Sequence, residues 1–137
     1  MPYYADSQAF YDVVNDLFGR VMDKPALLKP IRSGRILLRI ITTEPDAVLV
    51  LDGRSDPPRF SSGRMVSGKV DLGLRTPADV LHRAWLGQER LSDAFLAGRI
   101  KLDTSRLRAL TLQSSLSGLF DHLKTLYPQV LRDHNLS

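Results

Sequence analysis

Val70-Asp71-Leu72-Gly73-Leu74-Arg75-Thr76-Pro77-Ala78-Asp79-Val80-Leu81-His82-Arg83-Ala84-Trp85-Leu86-Gly87 is the stretch where the chain changes its period. Up to Arg75 the pattern repeats every two residues. Val66, Gly68, Val70, Leu72 and Leu74 fall on one side, and Ser67, Lys69, Asp71, Gly73 and Arg75 on the other. This alternation over 66–75 predicts a half-buried strand. Thr76 then reads as a helix cap, Pro77 as the first helical residue and Asp79 as its acidic partner three residues on. The helix buries Val80, Leu81, Ala84 and Trp85 and stops at Gly87. Leu91, Ala94 and Phe95 mark a second short helix ended by Gly98, and Ile100 to Leu102 reads as a strand.

Working outward, the N-terminal side opens with a helix over 7–23. Phe10, Val13, Val14, Leu17, Phe18 and Val21 recur at three- and four-residue spacing, Asp6 or Ser7 can cap it, and Pro25 closes it. The β-branched run 35–43 predicts a strand, Glu44-Pro45-Asp46 a turn, and 47–51 its partner, ended by Asp52-Gly53. Asp56-Pro57-Pro58 breaks the chain before a short edge strand at 59–65. On the C-terminal side a helix from Arg106 to Tyr127 carries Leu112, Leu116, Leu119, Phe120, Leu123 and Tyr127. Pro128 would break or kink it, leaving Val130 and Leu131 as a packed tail. The order is helix, four strands, two short helices, strand, helix. It predicts an α+β fold in which helices cover one face of a mostly antiparallel five-stranded sheet.

The 137 residues suit a single domain, 1–137, without repeats or a linker. The absence of cysteine removes disulfides, thiolate metal sites and cysteine nucleophiles. No apolar run approaches the roughly 20 residues that span a bilayer. The N-terminal stretch lacks the basic and apolar regions of a secretion signal, and Asn135-Leu136-Ser137 is no peroxisomal address, so a cytoplasmic protein is expected. The net charge of +4 permits weak attraction to anionic partners and requires none.

The second half of the chain resembles the sterol carrier protein 2 family, with 70–112 carrying the pattern. Ala78 to Gly87 is similar to that family's acidic-leucine helix ending in glycine. Ala94-Phe95-Leu96-Ala97-Gly98-Arg99-Ile100-Lys101-Leu102 is similar to its Ala-Phe-x-x-Gly-Lys-Ile-Lys-Ile segment, with Arg99 in place of the first lysine. Leu107, Ala109 and Leu110 match the start of the closing helix. Asp103-Thr104-Ser105 differs from the family's glycine and small polar residue, which puts the turn beside any cavity in question.

The resemblance implies a hydrophobic cavity between sheet and helices that binds fatty acids, acyl-CoA, sterols or isoprenoids without transforming them and without a cofactor. Its walls are expected from Leu81, Trp85, Leu86, Phe95, Leu96, Leu110, Leu116, Leu119, Phe120 and Leu123, although each of these is also what a plain core requires. Such a site needs apolar walls rather than exact geometry, because a guest gains about 0.8 kcal/mol per buried methylene. Arg99 and Lys101, with Arg106 and Arg108, could meet a carboxylate or phosphate head group. Arg32, Arg35, Arg39, Arg54, Arg59 and Arg64 on the hairpins could bring transient contact with an anionic membrane. An alternative role is an accessory module presenting a lipophilic intermediate, such as a quinone precursor, to a biosynthetic enzyme. No pattern specifies an oligomeric state.

Other motifs fail on inspection. Gly63 to Lys69 has phosphate-loop spacing, but Val70 stands where Ser or Thr must hold magnesium, and a strand follows instead of a helix. His82, His122 and His134 lack the spacing of a metal-binding helix. There is no Gly-x-Ser-x-Gly elbow. Tyr3, Tyr4, Phe10 and Tyr11 could stack on bases, but no basic stripe interleaves with them, so nucleic acid is not an expected partner.

Overall fold

The computed structural model describes residues 2–136. Asp6 opens α1 (Ser7–Met22) by accepting the Ala9 N–H at 2.8 Å. The face predicted from spacing (Phe10, Val13, Val14, Leu17, Phe18 and Val21) is the buried one. Pro25 begins a second helix, α2 (Pro25–Ser33), that the sequence reading omits. Proline at the first helical turn surrenders an N–H that has no intrahelical partner anyway, so it starts a helix as readily as it ends one. Leu28 and Ile31 anchor α2 in the core.

The sheet comprises β1 (Leu37–Thr43), β2 (Ala47–Asp52), β3 (Arg59–Ser62), β4 (Leu72–Pro77) and β5 (Lys101–Leu102), in the spatial order β3-β2-β1-β4-β5. It is mostly antiparallel, as expected, with one parallel pair between β1 and β4. That pair moves the predicted boundary. Leu38 registers with Leu72, and the ladder runs on to Thr42–Thr76 and Thr43–Pro77. Thr76 and Pro77 therefore belong to the strand, Pro77 is itself the cap position, and α3 spans Ala78–Trp85. Residues 66–71 alternate in sequence but lie outside the strand. Gly68 has φ +114°, and Asp71 turns its carboxylate onto the Leu37 N–H at 2.9 Å.

A short helix, α4 (Leu91–Leu96), precedes β5, and α5 (Arg106–Asp133) closes the fold. Pro128 does not end α5 as expected; the helix passes through it. The carbonyl that loses its partner is one turn back, at exposed Lys124, where water can reach it. Burial of Val130 and Leu131 beyond the proline holds the last turns down. The core lies on one sheet face, where Leu38, Ile40, Leu49, Leu51, Leu72 and Leu74 meet the apolar faces of the helices.

Gly53 sets how closely α2 approaches the end of β2. Its N–H donates to the Ile36 carbonyl at 2.7 Å, and an added Cβ would fall 2.3 Å from the Ile31 carbonyl oxygen.

Candidate functional site

Where β5 ends the sheet, the helices do not close fully against it. A cavity of about 410 Å³ opens between β4, β5, α4 and the first half of α5. Alternation aims Leu72 and Leu74 inward from β4, and Ile100 and Leu102 follow the same period from the other side. α4 contributes Leu91, Ser92, Phe95 and Leu96, while α5 contributes Arg106, Ala109, Leu110, Gln113 and Phe120. The volume falls within the roughly 300–1,000 Å³ usual for small-molecule sites. Among the described residues, Arg106 is the only ionisable side chain on this wall. Its guanidinium carbon stands 5.4 Å from the Phe95 ring centroid, so a cation is held over an aromatic face within the wall.

The structure divides the expected wall residues. Phe95, Leu96, Leu110 and Phe120 line the cavity. Leu81, Leu116, Leu119 and Leu123 pack in the closed core, because their positions on α3 and α5 turn them away from the opening. Trp85 is buried against Phe18 and Tyr127 and borders a second depression of about 260 Å³. Leu86 packs on the core and lines neither space. The second depression shares Leu91, Ser92, Gln113 and Phe120 with the first and is otherwise polar, with Glu89, Arg90, Ser117, Asp121 and Lys124 around it.

The expected head-group pair is not at the mouth. Arg99 is held by Glu89, which also accepts from Arg83 at 2.9 Å. Those two guanidiniums, Arg83 foremost, hold the Glu89 carboxyl below its usual range despite the opposing effect of burial. Lys101 neighbours inward-facing Leu102 and so points to the other side of the sheet, beside Arg75. Arg106 is the cation that reaches the cavity. Arg108 turns to Asp71 at 3.2 Å, and Ser105 caps α5 by accepting the Arg108 N–H at 3.1 Å. Of the hairpin arginines, Arg39 and Arg54 are neutralised by Asp103 and Asp52.

The divergent Asp103-Thr104-Ser105 turn has its own logic. Asp103 accepts from Arg75 at 2.8 Å and Arg39 at 3.1 Å. Burial opposes its charge, but the two guanidiniums prevail and its pKa falls below the ordinary value. This pins the β5–α5 connection next to the cavity.

The wall residues missing from the sequence reading are Leu72, Leu74, Leu91, Ser92, Ile100, Leu102, Ala109 and Gln113. The strand pairs carried a usable signal, since Leu72 with Leu74 and Ile100 with Leu102 each sit two apart. Ala109 and Gln113, four apart on α5, face the gap beside the core stripe.

No histidine lines either space among the described residues. His82 instead joins a network under the N-terminal segment. Its Nδ1 lies 2.7 Å from the Tyr127 hydroxyl, which lies 2.5 Å from the Tyr4 hydroxyl, and the Tyr3 ring stacks on the imidazole at 3.7 Å. Burial pushes both buried phenols up and His82 down. No cluster of His, Asp or Glu able to hold a metal occurs among the described residues, and no helix there is long and apolar enough to cross a membrane.

No family model matches the chain, and no curated protein matches it in sequence. Solved structures do match. The apo form of sterol carrier protein 2 from Yarrowia lipolytica aligns with a TM-score of 0.55 at 18% identity, over 82% of this chain and 90% of its own. Another sterol carrier protein 2 aligns at 0.56 and 13% identity, over 82% and 93%. A ubiquinone synthesis protein, UbiJ-SCP2, aligns at 0.52 and 16% identity, over 83% and 94%. Together with the five-stranded sheet and its helical cover, these likenesses give the chain the sterol carrier protein 2 fold.

Proposed function

We propose that this chain is a non-catalytic carrier that binds an apolar, lipid-like molecule in the cavity between β4, β5, α4 and α5 and works in the cytoplasm. One observation carries the reading: on a fold shared with sterol carrier proteins, the helices leave an opening of about 410 Å³ with leucine, isoleucine and phenylalanine on its walls. Removing a hydrocarbon chain from water supplies the affinity, less the cost of ordering the guest. Such walls read length and girth, so selectivity is loose and spans fatty acid, acyl-CoA, sterol and isoprenoid chains. Among the described residues, Arg106 is the one cation on the cavity wall able to favour an acidic head group.

Purified protein is expected to release lipid in native mass spectrometry and to bind a fluorescent fatty acid that unlabelled lipid displaces. Phe120→Asp puts a charge in the wall and abolishes uptake. Folded Phe120→Asp protein that takes up the probe like the parent rejects this site. Wild-type protein that never binds an amphiphile rejects the function.

The accessory role draws support from the likeness to a ubiquinone synthesis protein. In that reading the same cavity presents a lipophilic intermediate to an enzyme. Recovery of a prenylated aromatic compound from the cavity, together with a biosynthetic enzyme co-purifying at fixed stoichiometry, would favour it over a free carrier.

A further inference from the structure

The cavity and the second depression form one trough, because both border Leu91, Ser92, Gln113 and Phe120 and meet along those side chains. Along α5, Arg106, Leu110, Gln113, Ser117, Asp121 and Lys124 recur at three- and four-residue spacing, which puts them on one face of the helix. All six are exposed, and each borders one of the two spaces or, for Gln113, both. At 1.5 Å per residue this face extends about 27 Å from Arg106 to Lys124, room for an extended hydrocarbon chain with a head group.

The chemistry of the trough changes along that line. On the Arg106 side the facing wall is Leu72, Leu74, Ile100 and Leu102, and no carboxylate borders it among the described residues. Beyond Gln113 the facing wall becomes the 89–92 segment, with buried Trp85 beside it. Charges of both signs gather there, Glu89 and Asp121 against Arg90 and Lys124. Glu89 is engaged by Arg83 and Arg99. Lys124 reaches Asp121 only at 3.8 Å, with the two side chains 51% and 76% exposed, and Arg90 makes no ion pair among the described residues. A purely anionic head group would meet Asp121 there, and a purely cationic one would meet Arg90 and Lys124. An apolar run ending in loosely paired charges of both signs suits a hydrocarbon chain whose head group carries both.

We propose that the second depression is the head-group compartment of the lipid site and that its guest is a single-chain amphiphile with a zwitterionic head. The anionic group meets Arg90 and Lys124, the cationic group meets Asp121, and the chain runs along α5 toward Arg106. The proposal rests on the carrier reading and gives it a direction. Arg106 is stacked over the Phe95 ring at the tail end, so a zwitterionic head finds both of its partners only beside Trp85.

Trp85 is the single tryptophan of the chain and reports on that compartment without a label. An alkyl phosphocholine carrying a nitroxide on its head group should quench Trp85 strongly, and the same molecule labelled at the chain end should quench it weakly. Below micelle-forming concentrations, dodecylphosphocholine should bind several-fold more tightly than dodecanol, laurate or dodecyltrimethylammonium, and its preference should shrink as salt rises. In the double variant Arg90→Gln, Lys124→Gln the preference over dodecanol should disappear, whereas Arg90→Lys with Lys124→Arg should keep it. The ratio of the two affinities is the readout, so a general change in the cavity cancels.

Stronger quenching by the chain-end label, no preference for dodecylphosphocholine in the wild type, or a preference unchanged in Arg90→Gln, Lys124→Gln would overturn the head-group assignment and leave the carrier reading standing. Absence of binding by every one of these amphiphiles would remove the carrier reading and this assignment with it.

Discussion

The Tyr127 hydroxyl and His82 Nδ1 meet at 2.7 Å, joining the C-terminal part of α5 to α3 through a part-buried polar contact. Tyr4 lies on the far side of Tyr127, and Tyr3 covers the imidazole while its N–H donates to Asp79 at 2.9 Å. Burial, aided by nearby Arg83 and opposed by Asp79, pulls the His82 pKa below its free value. The folded protein therefore binds this proton less readily than the unfolded chain. The resulting stabilisation is fully present above about pH 6.5 and is lost as pH falls through the folded pKa. Urea unfolding at a series of pH values should show stability falling from about pH 6.5 downward, and His82→Phe should remove that first decline. Glu89 and Asp103, with pKa values already below normal, give a second decline at lower pH that the variant retains.

Gly53→Ala should destabilise the fold by about 1–3 kcal/mol. The new methyl collides with the backbone oxygen of Ile31, which cannot rotate away as a side chain can. The midpoint of urea denaturation is the readout. Ligand affinity of the folded fraction should not change, because Gly53 borders neither space.

Leu116→Ala and Phe95→Ala separate core from cavity. Leu116 is fully buried, and its loss should cost about 2–5 kcal/mol with little effect on ligand preference. Phe95 is half-buried on the cavity wall, so its loss should cost less stability and move preference toward bulkier guests. Thermal denaturation beside a chain-length series of fatty acids reads both.

Asp71→Ala should loosen the start of α5 over the cavity. The carboxylate accepts from the Leu37 N–H and from Arg108, so its loss should cost about 1 kcal/mol and speed ligand dissociation several-fold. Stopped-flow displacement of a fluorescent fatty acid measures that rate.

Much of the architecture could be read from periodicity. The buried face of α1 and the core stripe of α5 followed from three- and four-residue spacing, because a helix that must bury one face has few ways to do so. Proline was harder. Pro25 reads as a terminator and Pro128 as a break or kink, yet Pro25 opens α2, where its missing N–H has no partner to lose, and Pro128 sits inside α5, where burial of Val130 and Leu131 outweighs the lost backbone bond. The alternation over 66–75 misplaced the start of β4, because strand length is set by the ladder to β1, a partner far away in sequence. At the cavity, apolar identity marked Phe95, Leu96, Leu110 and Phe120 without separating them from Leu116 or Leu123. Which leucine faces a gap depends on how far α4 and α5 stand from the sheet, a distance that no local pattern encodes.

β5 holds to β4 through only two registered pairs, Leu74–Leu102 and Arg75–Lys101, whereas β4 is fastened along its whole length to β1. The receptacle thus has a stiff floor and a compliant rim. If the chain carries a guest as proposed, an oversized one should be accommodated by flexing α4 and the short outer strand, with β4 shielding the β1–β2 centre of the sheet from the strain. Capacity in such a molecule is an elastic property of one margin, adjustable there while the remainder keeps its shape.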